Sequence, residues 1–271
     1  MPHLDVPGAS LYYEAHGHVS KPALLLIHAG IANLRMWDPQ VPALAADHYV
    51  IRFDTRGFGQ TSTEDVEFSN RADALAVLDH LGVARATLIG CSRGGSIAID
   101  LAVEHPDRVA GLVTIGSGPS GFPPTELTDV EDARFDEIDR AFEAQDWHRQ
   151  ARLEAALWDF GPLRREEDLD PDFVATAYAL NRVNVIHADE NPVSLPLDPP
   201  AFDRVVDITV PTLVTVGEYD ISEVLAQYEY LVSTVPEASG CVFRDAAHLP
   251  NVEQPADVER VLLGWLAENG L

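Results

Sequence analysis

Glycines crowd a serine in the run Ile89-Gly90-Cys91-Ser92-Arg93-Gly94-Gly95, which joins an apolar segment to a helical one. A sharp strand-to-helix turn holds its central residue in a strained backbone conformation, so neighbours two positions away must lack bulk. Such a turn lifts the hydroxyl off the sheet and onto a helix N-terminus. There the dipole and free N–H groups favour developing negative charge. Ser92 is therefore the candidate nucleophile. A serine hydroxyl needs a base to attack, and the base needs an acid to orient it. Asp220, in Val216-Gly217-Glu218-Tyr219-Asp220, follows an apolar run and is the candidate acid; Glu218 is its rival, nearer the end of that run. His248, in Asp245-Ala246-Ala247-His248-Leu249-Pro250, follows the last apolar run and precedes a helix, as a base should. With ten histidines in the chain, one loop histidine says little. The joint order serine, acid, histidine, each just past a strand, carries the assignment.

The elements that must position these residues follow from hydrophobic pattern. Ala23–Ile27, 49–53, 86–89, 109–115, 211–216 and 241–243 are short apolar runs, several without alternation, as strands buried on both faces require. The segment 70–81 has apolar residues at helical spacing and stops at Gly82; 96–103 is helical and ends before Pro106; a final helix runs from near Pro255 to near Asn269. Strand and helix in alternation predict an α/β fold with a mostly parallel sheet flanked by helices. The rhythm breaks after Gly116. Residues 126–186 read as helices without a strand, and 191–200 carries four prolines, as a return linker would. The expected organisation is a core of residues 1–117 and 206–271, with a helical cap at 118–205 inserted after the sixth strand.

Bulk properties narrow the function. The net charge of −26 repels nucleic acid and anionic membranes, because binding them requires cations that displace counterions. Lys21 is the only lysine. No apolar stretch reaches the roughly 18 residues of a membrane span, and the first residues lack a basic segment followed by an apolar one. The cytoplasm is the expected compartment. Two cysteines, Cys91 and Cys241, do not make a disulfide framework.

Several motifs together resemble the α/β hydrolases. They are His28-Ala29-Gly30, Met36-Trp37-Asp38-Pro39-Gln40, Asp54-Thr55-Arg56-Gly57-Phe58-Gly59, the glycine-rich turn at 90–95, Gly217-Glu218-Tyr219-Asp220, and His248 with Glu253-Gln254-Pro255. The Trp37 segment looks most like that of 3-oxoadipate enol-lactonases, and esterases and carbon–carbon hydrolases share the neighbourhood. The resemblance implies hydrolysis of a small carboxylic ester or lactone through an acyl-enzyme on Ser92, with no cofactor and no metal. Alternatives with the same three residues are a carbon–carbon bond hydrolase and a perhydrolase; a third is a small-ligand receptor of the same fold with slow turnover.

Acyl transfer also needs two N–H donors aimed at the oxyanion. The residue after the nucleophile, Arg93, supplies one. The loop after Ala23–Ile27 supplies the other, from Gly30 or alternatively Ile31; alanine at 29 stands where the resembling family usually has glycine. His28 is expected to prop this loop. Ile31, Trp158, Tyr178 and Asn181 are the candidate substrate contacts, with Phe160 and His187 also to be placed. Arg56-Gly57-Phe58-Gly59 lacks the spacing of a phosphate loop and reads as a turn. His16-Gly17-His18 reads as a surface turn, and the acidic stretch 126–139 as a solvated helix face.

Overall fold

The computed structural model describes residues 2–271. Met1, which opens both the leader reading and the 1–117 segment, lies outside the described residues. In chain order the elements are β1 (His3–Val6), β2 (Ala9–His16), β3 (Ala23–Ile27), α1 (Val41–Asp47), β4 (Tyr49–Phe53), β5 (Ser62–Thr63), β6 (Glu67–Phe68), α2 (Asn70–His80), β7 (Ala86–Cys91), α3 (Arg93–Glu104), β8 (Val109–Ile115), α4 (Asp129–Glu143), α5 (Trp147–Leu157), α6 (Pro171–Arg182), β9 (Val193–Ser194), β10 (Thr212–Gly217), α7 (Ser222–Thr234), β11 (Ser239–Phe243), α8 (Pro250–Glu253) and α9 (Pro255–Asn269).

The main sheet runs β1-β2-β4-β3-β7-β8-β10-β11, with β5 on the side of β2. β1–β2 and β2–β4 are antiparallel, and every later pair on the path is parallel. The apolar runs sort themselves across this sheet. Leu25 and Ile27 of β3 pack with Ile51, Phe53 and Leu88 against Ala74, Val77 and Leu78 of α2 and Ile97, Ala98 and Leu101 of α3. Leu24 and Leu26 turn the other way, with Val50, Ile89 and Val113, onto Leu44 of α1 and Val258, Leu262 and Trp265 of α9. Successive strand residues face opposite sides, so a strand covered on both sides is apolar at nearly every position. Burying each large side chain contributes roughly 1.5–3 kcal/mol.

The register brings the functional turns to one edge. Cys91 pairs with Ile115, Ile115 with Thr215, and Gly217 with Phe243, so β7, β8, β10 and β11 end side by side. Ser92, Asp220 and His248 all lie just past these ends. Ligand sites of open α/β sheets lie outside the carboxyl ends of the strands.

Between β8, the sixth strand of the path, and β10, the chain forms α4, α5 and α6 and the two-residue β9. β9 falls within the proline-bearing return segment and pairs in parallel with β6 (Glu67 with Val193, Phe68 with Ser194). Two residues are too few to show a strand period, which is why this ladder has no sequence signature. The acidic helix α4 departs from expectation at one position. Glu131 is buried, not solvated: it completes a capping box with Thr128 and accepts the backbone N–H of Ser222 at 2.7 Å and its hydroxyl at 2.6 Å. Burial would raise its pKa, but donors from Ser222 and Thr128 outweigh that and hold it below the usual carboxylate range. Glu131 thereby ties α4 to the start of α7, directly after Asp220.

Candidate active site

Ser92 has φ 52° and ψ −124°, a conformation that costs a non-glycine residue about 1–3 kcal/mol. The surroundings enforce it. The Ser92 N–H donates to the Ile115 carbonyl at 2.8 Å, and the Ser92 carbonyl accepts the Gly95 and Ser96 N–H groups that open α3. A Cβ at Gly94 would come within 2.3 Å of the Ile27 carbonyl oxygen, and one at Gly90 within 2.3 Å of the Gly94 oxygen. The three elements cross too closely for any side chain there, which is the steric demand read from the sequence.

Asp220 and His248 are both buried and in contact. His248 Nδ1 lies 2.8 Å from Asp220 Oδ2 and 3.0 Å from Oδ1. Asp220 Oδ1 also accepts the Ile221 N–H at 2.9 Å, which fixes the carboxylate plane. An Nδ1–H that donates to the carboxylate leaves Nε2 as the free lone pair, the tautomer a general base needs. Glu218 is exposed and accepts only the Asp245 N–H at 3.3 Å, so geometry selects Asp220 over its rival as the partner of His248. The elbow adjoins this pair. Cys91 Sγ lies 3.7 Å from the His248 carbonyl, and a Cβ at Gly116, next to Ile115, would be 3.0 Å from Asp220 Oδ2 and 3.1 Å from His248 Nδ1. Cys91 is fully buried and its thiol is pushed well up by desolvation and by the charges of Asp220 and Asp159, which makes it an inert packing residue.

His28 is fully buried. Its Nδ1 donates to the Ala29 carbonyl at 2.8 Å, and its Nε2 accepts the Thr55 N–H at 3.0 Å. Desolvation lowers its pKa to about 3, with the Arg93 charge adding to the fall and the Ala29 bond opposing it. His28 is thus a neutral strut joining the loop after β3 to the loop after β4. The Ala29 N–H points at Met36 Sδ, 3.3 Å away. The N–H groups of Gly30, Ile31 and Arg93 have no acceptor among the described residues.

The remaining candidates separate. The Trp158 ring lies against His248, and Asn181 and Gly30 both line a cleft of about 220 Å³ that also includes Phe58, Glu154 and His187. Ile31 is buried beside that loop. Tyr178 is elsewhere: its hydroxyl donates to Glu166 at 2.6 Å, Arg152 covers its ring, and it lines an outer hollow with His148 and Arg182. Phe160 is core, packed on Phe173 and Tyr178. His187 braces the Gly59 carbonyl at 3.0 Å. His16 and His18 bond to Glu14 and Ser20, and Arg56 pairs with Asp73 through two bonds, so these motifs serve structure.

Two features were missed by sequence reasoning. Asp159, beside Trp158, is fully buried with both carboxyl oxygens unbonded; desolvation and the carboxylates of Glu253 and Glu154 push its pKa well up. Glu131 could have been found from the spacing Thr128-x-x-Glu131, a capping-box signal.

A strained serine at a strand-to-helix turn, beside a buried aspartate–histidine pair at the carboxyl edge of a parallel sheet, defines the hydrolase class of α/β proteins. Residues 22–255 match the family model for the alpha/beta hydrolase fold, and the chain belongs to that family. It is 25% identical over 275 residues to 3-oxoadipate enol-lactonase 2 of Acinetobacter baylyi, covering 93% of this chain and 91% of that protein. Among solved structures, a hydrolase from Pseudomonas aeruginosa superposes with a TM-score of 0.77 at 28% identity, covering 98% of this chain and 97% of the other. Est816, described as an N-acyl homoserine lactone degrading enzyme, superposes with a TM-score of 0.75 at 29% identity over 97% of this chain and 99% of its own. No helix among the described residues is long and apolar enough to cross a membrane.

Proposed function

We propose that the chain hydrolyses a small carboxylic ester or lactone by acyl transfer to Ser92. The observation that carries this reading is the buried Asp220–His248 pair set against the Ser92 elbow. The enol-lactonase and lactone-degrading relatives support the substrate class.

In this scheme His248 Nε2 takes the Ser92 proton as Oγ attacks the acyl carbonyl carbon. The carbonyl π electrons move to oxygen, and the backbone N–H groups of Arg93 and Gly30, with Ile31 as the alternate, hold that oxyanion. Asp220 keeps the imidazole oriented and stabilises its protonated form. Collapse of the adduct breaks the bond to the leaving oxygen, which receives the proton from His248. Water then repeats the sequence on the acyl-enzyme, with His248 as base, and releases the acid. In a lactone the leaving oxygen stays tethered to the acyl group, so one open-chain hydroxy acid results. Every step uses protein groups and water alone.

Residues 118–205 act as the cap, closing over the serine and excluding water. Trp158 and Asn181 are its substrate-facing members, and the cytoplasm is the proposed compartment. The test is hydrolysis of p-nitrophenyl acetate and butyrate at neutral pH by wild type and Ser92→Ala. Activity confined to wild type, with both proteins folded, supports the reading; equal activity in the variant refutes it.

A further inference from the structure

The motif Glu253-Gln254-Pro255, shortly after His248, takes no part in the chemistry described above. Its acid nevertheless has a specific partner. Arg164, in the stretch after α5, forks onto Glu253, with Nη1 2.6 Å from Oε1 and Nη2 3.0 Å from Oε2. The rest of the guanidinium is also satisfied. Nε donates to the Phe160 carbonyl at 2.5 Å, Nη1 to the Asp245 carbonyl at 2.9 Å and Nη2 to the Asp159 carbonyl at 3.3 Å. All five N–H donors of the side chain are thereby used. The pair is largely withdrawn from water, at 14% and 11% side-chain exposure. Arg134, Arg140, Arg152 and Arg165 of the same intervening segment make their pairs at 41% to 68% exposure. Exposed pairs hold little. A desolvated pair needs good geometry and further hydrogen bonds to offset lost hydration, and this one has both.

These bonds converge on the loop that carries His248. Arg164 holds the Asp245 carbonyl, Glu253 Oε2 accepts the Ala247 N–H at 3.1 Å, and the Trp158 carbonyl accepts the His248 N–H at 3.3 Å. The loop lies beyond β11, where no strand ladder fixes it. Asp245 has φ 59°, a conformation that persists only where the surroundings over-determine it. Gly161, at φ 82°, lets the stretch after α5 press this close. A Cβ there would lie 2.5 Å from the Tyr219 carbonyl oxygen and 3.3 Å from Ala247 Cβ. One short piece of chain thus bears on the loop of Asp220 and on the loop of His248.

From this we infer that Arg164 and Glu253 are positioning residues for the His248 imidazole. They act through the backbone of residues 245–248, fixing it so that the ring keeps Nδ1 on Asp220. The inference rests on the hydrolase reading for the role of His248 as a base, but not for the restraint on its ring.

The test reads the ring and the rate separately. Ring ¹⁵N NMR spectra of histidine-labelled protein at neutral pH report the tautomer, with His248 assigned by comparison with His248→Gln. Wild type is expected to show the Nδ1-protonated tautomer alone. In Arg164→Gln the ring should average its tautomers. There kcat on p-nitrophenyl acetate should fall about ten- to hundredfold with KM within about twofold, as a displacement of about 1 Å near the reacting atoms does. Arg164→Lys, which keeps the cation but not the fork, should recover part of both. Glu253→Gln, which keeps the shape, should give the same changes at smaller size and serves if Arg164→Gln does not fold. Urea denaturation checks each variant. A brace of the fold alone would lower the urea midpoint and leave ring and kcat unchanged; that result, a change confined to KM, or a wild-type ring that already averages its tautomers overturns the proposal. If wild type hydrolyses no ester, a ring altered in Arg164→Gln still supports the clasp, and only the hydrolase reading fails.

Discussion

The Trp158 indole lies on the imidazole of His248, with ring centroids 4.6 Å apart and planes at 44°, and the Trp158 carbonyl accepts the His248 N–H at 3.3 Å. A residue of the segment between β8 and β10 therefore holds the proposed catalytic base by both ring and backbone. Aromatic contacts of this kind contribute about 0.5–1.5 kcal/mol beyond area. Trp158→Ala is expected to lower kcat by about three- to tenfold, since each 1.36 kcal/mol is a factor of ten. Trp158→Phe is expected to keep most of it. Steady-state kinetics on p-nitrophenyl butyrate, with circular dichroism to confirm folding, provide the check.

The two carboxylates after β10 make a sharper contrast. Asp220 touches His248 through both oxygens, whereas Glu218 is exposed and touches only a backbone N–H. Replacing the orienting acid of such a triad by its amide costs about 10⁴ in kcat because the wrong imidazole tautomer is stabilised. Asp220→Asn should show a loss of that order, and Glu218→Gln should stay within about twofold of wild type. Comparable losses in the two variants would remove Asp220 from its role.

Asp159 gives a pH dependence with a definite sign. Its folded pKa is raised, so between the ordinary carboxylate value and the raised one the folded state binds the proton and the unfolded state does not. Stability then falls as pH rises through that window. Asp159→Asn keeps the shape and removes the titration. Its melting temperature should exceed that of wild type at pH 7–8, and the difference should shrink toward pH 4. A variant less stable than wild type at pH 8 would show that the carboxyl has a partner in the fold.

Two glycines in helices should respond oppositely to alanine. Gly264, exposed in α9, has a right-handed backbone, and an alanine methyl there would meet nothing within 4 Å, so Gly264→Ala should stabilise by about 0.5–1 kcal/mol. At Gly94 the methyl would meet the Ile27 and His28 carbonyl oxygens at 2.3 and 2.6 Å, so Gly94→Ala should displace the elbow and lose both stability and activity. Urea denaturation of the pair is the measurement.

How much of this was legible in the sequence depends on what each residue's role requires. β3, β4 and β8 could be bounded because they are buried on both faces and so are almost continuously apolar, Arg52 and Thr114 being the polar exceptions; α9 because Pro255 opens it and Gly270 at φ 64° closes it. Ser92, Asp220 and His248 could be named as candidates because each proposed role demands one residue type at one kind of turn. What could not be read was direction. Nothing in the spacing says that Glu131 turns inward to Ser222, that Tyr178 faces an outer hollow, or that the Arg164 side chain reaches Glu253. Such facts are set by contacts far apart in the chain. α1 was missed because its seven residues begin Val41-Pro42 and are too few to display a period.

Whether Ser92 is a nucleophile activated by His248 is read out by a fluorophosphonate probe with peptide mapping by mass spectrometry. One adduct per chain is expected, on the peptide carrying Ser92, absent in Ser92→Ala and strongly slowed in His248→Ala. No adduct on folded wild type, or an adduct that persists in Ser92→Ala, would contradict it.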